Sequence, residues 1–284
     1  MTHTVEAASA QPIRPASRFG WIRRHPLLAF FGWFFTVGQA FAFTPLLIDS
    51  PVPAQVFIIG STLFGLLLPA LVITRLADGP EALRRMLRSF VDWRVGLRWY
   101  AFALLAAPLV TLGLGVLFVG APDDWTGAIV SVFLLQLLFA LVPNNWAEEG
   151  VWTGFVQTRL QARHGAVLGA VLTAPLFAVQ HVSMVVDGGL VLGAILMAAL
   201  VILMIPYRFV TGFVWNRTGS LFLLGLVHAA GNAAAAGSGF GGGVLRHLYP
   251  DNMLVGSLHL LAFALIGLAV LAVTKGRIGP IRNI

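Results

Sequence analysis

Two carboxylates, Glu148 and Glu149, stand side by side in the stretch NNWAEEGVWTGF, residues 144–155. The sequence around them is apolar enough to lie in a membrane. An ionisable group there is costly and is a candidate for function. The other polar groups in comparable surroundings are few. They are His181 at the end of FAVQH, His228 and Asn232 in HAAGN, Asn144 and Asn145 beside the acids, and His259 in SLHLLAF. A carboxylate can take a proton from water, and desolvation makes it a stronger base. A neutral imidazole can position that water or carry the proton. A second histidine and a carboxamide can donate to the oxyanion that forms on a scissile carbonyl. If these groups meet, the chemistry is hydrolytic. The same Glu and two His could instead ligate a divalent metal such as zinc with one position open for water. The cofactor is therefore either none or one such metal.

Spacing refines the roles. Successive helical residues are ~100° apart, so Glu148 and Glu149 cannot fully share a face. One is expected to face a cavity while a partner holds the other. Glu149 and Thr153 are neighbours on the helix surface, and so are His228 and Asn232. His259 fits no such pattern and is read as a packing or hydrogen-bonding residue.

These groups must be positioned by membrane helices. The chain is 58% hydrophobic and 10% charged, against ~25% charged in ordinary soluble domains. Its mean hydropathy is +0.88. There is no cysteine, which excludes disulfides, thiol nucleophiles and thiolate metal sites. Eight apolar segments emerge, at about 26–46, 53–75, 99–119, 126–163, 165–184, 189–208, 219–236 and 252–274. Most approach the ~20 residues that span the hydrocarbon core as helix. None shows the strict alternation of a barrel strand. The fourth is too long for one straight span, and Pro143 is expected to break it.

The expected fold class is all-α, a polytopic membrane helix bundle of about eight transmembrane helices with both termini cytoplasmic. With that topology all but Arg246 of the 18 Lys and Arg fall inside, Arg208 among them. The outer connections carry Asp49, Asp123, Asp124, Asp187 and Asp251. This is the positive-inside pattern. It accounts for the net charge of +7 through lipid headgroups, without nucleic acid. Residues 1–17 are read as a disordered cytoplasmic tail and 18–284 as a single membrane domain. Residues 76–98 hold an amphipathic surface helix, with Leu83, Met86, Leu87 and Phe90 at helical spacing. The outer connection 237–251, with GSGFGGG, is expected to be flexible.

In order and on successive late spans, EEGVWTG, FAVQH and HAAGN resemble the three motifs of the CPBP intramembrane proteases. That family includes the type II CAAX prenyl endopeptidases and abortive-infection-like proteins. The resemblance covers about residues 125–236. It implies a membrane peptidase of the glutamate or metallo type. In it Glu148 activates water, Glu149 supports it, His181 acts with Glu148, and His228 with Asn232 stabilises the oxyanion. The implied partners are membrane lipids and a membrane-associated protein or peptide substrate. The implied location is a cell membrane, with a bacterial plasma membrane suggested by the Ala-, Gly- and Arg-rich, Lys-poor composition.

One position departs. Where the family pattern E-E-x-x-x-R places arginine, this chain has Thr153. Glu149 must then be neutral or borrow a donor from elsewhere. Arg159, roughly 15 Å along the same helix, is too far to serve. This departure motivates an alternative, a catalytically lapsed member acting as a membrane scaffold, immunity or regulatory protein. A transporter using the intramembrane acids is a third reading, disfavoured by the lack of paired broken segments in both halves.

Overall fold

The computed structural model describes residues 19–122, 125, 128–186 and 188–280. The tail expected over 1–17, Asp123, Asp124 and Asp187 lie outside the described residues. Every apolar segment is helical, and there is no strand among the described residues. Six helices are long and apolar enough to cross a membrane. With an amphipathic helix and two shorter apolar helices they are α1 (Pro26–Leu47), α2 (Ala54–Ala77), α3 (Pro80–Phe90), α4 (Leu97–Val119), α5 (Ile129–His164), α6 (Ala166–Val179), α7 (Leu190–Thr218), α8 (Leu221–Ala234) and α9 (Met253–Val273). The protein is a multi-pass membrane protein. The two shorter helices, α6 and α8, have 14 residues each, below the ~20 that a span needs. Most of α8 is buried, so it is a central element wrapped by the others rather than a lipid-facing one.

Small residues let the helices approach closely, as expected where lipid provides no hydrophobic drive between them. A Cβ on Gly65 of α2 would lie 2.3 Å from the Cα of Gly38 on α1. There Ser61 Oγ donates to Gly38 O at 2.8 Å. A Cβ on Gly267 of α9 would lie 1.9 Å from the carbonyl oxygen of Pro206 on α7. Aromatic rings fill the space where α1, α5 and α6 meet. Trp152 stands edge-on to Phe30, Phe34 and Phe177.

Helix α5 departs from a regular path where Pro143 requires it. Val142 is extended, at φ −113° and ψ 122°. The helix then restarts, and Trp146–Glu149 form its new first turn. A wide π-helical stretch, Gly150–Gln157, follows directly. Such stretches often accompany functional sites.

Hydrogen bonds show which helix ends lie together. At one end Arg23 Nε donates to Leu76 O, Ser220 Oγ to Asp92 O, Arg217 to Ile278 O, and Arg159 pairs with Asp78. At the other, Tyr249 OH donates to Gly120 O and Gln39 Nε2 to Val179 O. Helix α3 is amphipathic, burying Met86 and half-burying Leu83 and Phe90, but Leu87 is exposed on the side of the arginines. Two expectations need correction. Segment 189–208 was set too short, because α7 continues to Thr218. The glycine-rich connection is folded against the bundle. Ser238 is buried and its N–H donates to Gln136 Oε1 at 2.9 Å, while Gly237 and Gly239 adopt positive φ.

The contact between α1 and α2 predicts that Gly65→Val forces the helices apart. Thermal unfolding in detergent should show a loss of about 1–3 kcal/mol, the usual cost of overpacking. An unchanged melting temperature would contradict this packing.

Candidate active site

Glu148, His181, His228 and Asn232 come together on one cavity of about 370 Å³ between α5, α6, α7, α8 and α9. Glu149 does not reach it. The ~100° between successive residues sends the two adjacent acids in different directions.

Glu148 is buried, and three carboxamides donate to it. Asn144 Nδ2 and Gln180 Nε2 reach Oε1 at 3.2 and 2.6 Å, and Asn145 Nδ2 reaches Oε2 at 3.3 Å. Each amide is oriented by a further donor. Thr62 Oγ1 donates to Asn144 Oδ1 at 2.7 Å, Asn232 Nδ2 to Asn145 Oδ1 at 3.1 Å, and Trp152 Nε1 to Gln180 Oε1. Because each amide oxygen is already occupied, each amide nitrogen must face the carboxylate. Four helices therefore fix one carboxylate.

Glu149 is fully buried and held on an adjoining face of α5. Arg208 of α7 donates to both of its oxygens, at 3.0 and 3.2 Å. Tyr207 OH adds a hydrogen bond at 2.8 Å and Thr153 Oγ1 one at 2.6 Å. A two-pronged guanidinium contact of this kind is the strongest hydrogen-bonded pairing available to a carboxylate. Arg208 is itself fully buried, and its guanidinium carbon lies 4.0 Å from the Phe177 ring centroid. Arg208 is thus not one of the interfacial charges that set topology, which corrects the sequence expectation. Arg159 is taken up elsewhere, with Asp78.

His228 connects the two acids. Its Nδ1 lies 3.1 Å from Glu149 Oε1 and 3.8 Å from Glu148 Oε2. The shorter approach falls outside hydrogen-bond alignment, so it is a close polar approach rather than a formed bond. With Nδ1 turned to the acids, Nε2 is the nitrogen left for the cavity. His181 Nδ1 lies 3.2 Å from Phe177 O. A carbonyl only accepts, so this nitrogen carries a proton, and in the neutral tautomer Nε2 is an acceptor.

Among the described residues, no group of three or more His, Cys, Asp or Glu side chains could hold a metal ion. The Nδ1 atoms of His181 and His228 are turned to Phe177 O and to the acids, and Glu148 is ringed by amide donors.

Residues 129–234 match the family model described as type II CAAX prenyl endopeptidase Rce1-like. The match supports membership of the CPBP family. No curated protein and no solved structure matches the chain.

The Rce1-like segment spans α5 to α8 and holds both glutamates, both motif histidines, Asn232 and Arg208. The family is one of proteases, which supports peptidase activity in general. Other cavity residues come from outside the segment, including Gln55 of α2 and His259 of α9. His259 does make a hydrogen-bond contact, its Nδ1 lying 3.0 Å from Gly256 O. It also lines the cavity, which no motif signalled. Gln180 and Arg208 were missed as well. Gln180 directly precedes His181, and Arg208 was obscured by the misplaced end of α7.

Thr153 now has an explanation. It donates to Glu149 and accepts from Arg208 at 3.2 Å, so threonine leaves room for an arginine from another helix. Arg208 supplies the counter-charge that the motif arginine would have given. Arg208→Met should leave Glu149 buried without its counter-charge and cost ~3–5 kcal/mol. Glu149→Gln together with Arg208→Met should recover part of that loss. A double-mutant cycle by thermal unfolding measures the coupling. Strictly additive losses would contradict the pairing.

Proposed function

We propose that the chain is an intramembrane endopeptidase that hydrolyses a peptide bond of a membrane-associated protein or peptide by direct attack of water. The observation that carries this reading is the shared cavity. Glu148, His181, His228 and Asn232 all line it, and Glu149 is held away from it by Arg208.

In this reading Glu148 accepts a proton from a cavity water as the oxygen adds to the scissile carbonyl carbon. The three amides fix the direction of the carboxylate, which is a requirement for catalysis by positioning. His181 accepts from the same water through Nε2. The carbonyl oxygen becomes an oxyanion as the carbon turns tetrahedral. Asn232 uses one amide N–H on Asn145 and has a second to offer. His228 offers Nε2. Collapse breaks the carbon–nitrogen bond, and the proton held by Glu148 passes to the departing amine. No acyl-enzyme forms, in keeping with the absence of cysteine and of any motif serine. Glu149 acts as a positioning residue, fixing His228 and tying α5 to α7.

The variants Glu148→Gln and His181→Ala should insert into the membrane normally and lose cleavage. Asn232→Ala should lower kcat by ~10²–10³-fold, the usual cost of one oxyanion donor. Turnover is followed with a quenched fluorescent peptide carrying a membrane anchor. Wild-type rates in both Glu148→Gln and His181→Ala would overturn the assignment.

A further inference from the structure

We propose that the cavity takes its substrate from the side of the membrane opposite the arginine-rich face, so the polypeptide it cuts is presented on the non-cytoplasmic side. This rests on the cavity being the peptidase site, and it adds the direction from which that site is reached.

The two faces of the bundle differ sharply in charge. Every described Lys and Arg except Arg208 and Arg246 lies at the end where Arg23 meets Leu76 and Arg217 meets Ile278. The opposite end carries Asp49 and Asp251. Basic connections are retained in the cytoplasm, which orients the arginine-rich end inward.

The cavity is polarised along the same axis. Toward the arginine-rich end it is closed. Tyr207 and Phe177 are buried beneath it, and behind them lies the Glu149–Arg208 pair. The backbone of α5 is sealed there too, since a Cβ on Gly150 would lie 2.0 Å from the Phe90 ring. Toward the acidic end it is open. Met184 (56% exposed), Ala236 and Gly239 form an exposed rim. Ser238 and its glycine neighbours are held there by Gln136, leaving a fixed rim of backbone with little side-chain bulk. Between rim and floor the wall includes Leu200, Met204 and Leu260. An apolar wall leading to a polar floor suits an extended apolar stretch of a membrane-anchored polypeptide. A lipidated C-terminus displayed on the cytoplasmic surface would meet the closed end instead.

The absence of cysteine makes a direct test possible. Single substitutions Phe240→Cys and Met184→Cys report the acidic end and the rim, and Arg84→Cys reports the arginine-rich end. Intact cells producing each full-length variant are treated with a membrane-impermeant maleimide. Phe240→Cys and Met184→Cys should label in intact cells, and Arg84→Cys only after the membrane is disrupted. The reverse pattern would overturn the proposal. So would labelling of Phe240→Cys with protection of Met184→Cys, because the rim would then not be open to that side. In a second arm, an anchored fluorogenic peptide pool is added to sealed vesicles of either orientation containing the wild-type chain. Cleavage should appear in right-side-out vesicles and be absent from inside-out vesicles until detergent is added. Cleavage confined to inside-out vesicles would overturn the proposed direction. Absence of cleavage even in detergent would reject the peptidase reading, and with it a substrate path, while the labelling still decides which face the cavity opens to.

Discussion

A fully buried carboxylate and a fully buried guanidinium decide how α5 and α7 meet. Neither Glu149 nor Arg208 can be satisfied by solvent, so each requires the other. The pair has more hydrogen bonds than two prongs alone, with Tyr207 and Thr153 adding donors to the carboxylate. Everything near the cavity inherits its register from this contact. His228 is set against Glu149, Phe177 stacks under the guanidinium, and the π-helical stretch of α5 begins where the pair is anchored.

The adjacent acids divide the work because a helix cannot aim two successive side chains the same way. Glu149 faces a cation. Glu148 is presented to a cavity and faces neutral amides. A cation beside Glu148 would compete with water for its oxygens, whereas amides orient it and leave it an acceptor. The relays from Thr62, Asn232 and Trp152 extend that orientation into α2, α8 and a second face of α5. The carboxylate is therefore fixed by the assembled bundle rather than by its own helix.

Much of this was legible in the sequence, for physical reasons. Apolar run length located every major helix. Pro143 announced the break in α5, and the 100° rule separated the two acids. Motif spacing brought Glu148, His181, His228 and Asn232 to one list, and all four line one cavity. What stayed hidden depends on contacts between helices. Arg208 looks like an ordinary terminal charge as long as α7 is thought to stop there, and only the continuation to Thr218 places it mid-helix. Gln180 carries no charge to draw attention. His259 lies outside the motifs and reaches the cavity only through the packing of α9. The glycine connection reads as slack because composition cannot reveal that its backbone is held by a buried glutamine.

The spacing of the ion pair along the chain has a consequence for biogenesis. Synthesis runs from the N-terminus, and Arg208 lies 59 residues after Glu149. The helix that bears both acids is therefore made, and must be accommodated, before its counter-charge has left the ribosome. Thr153, on the same helix, is the one donor to Glu149 already at hand. Maturation of this bundle is thus a late event, in which α7 arrives to neutralise a charge that α5 has been sheltering.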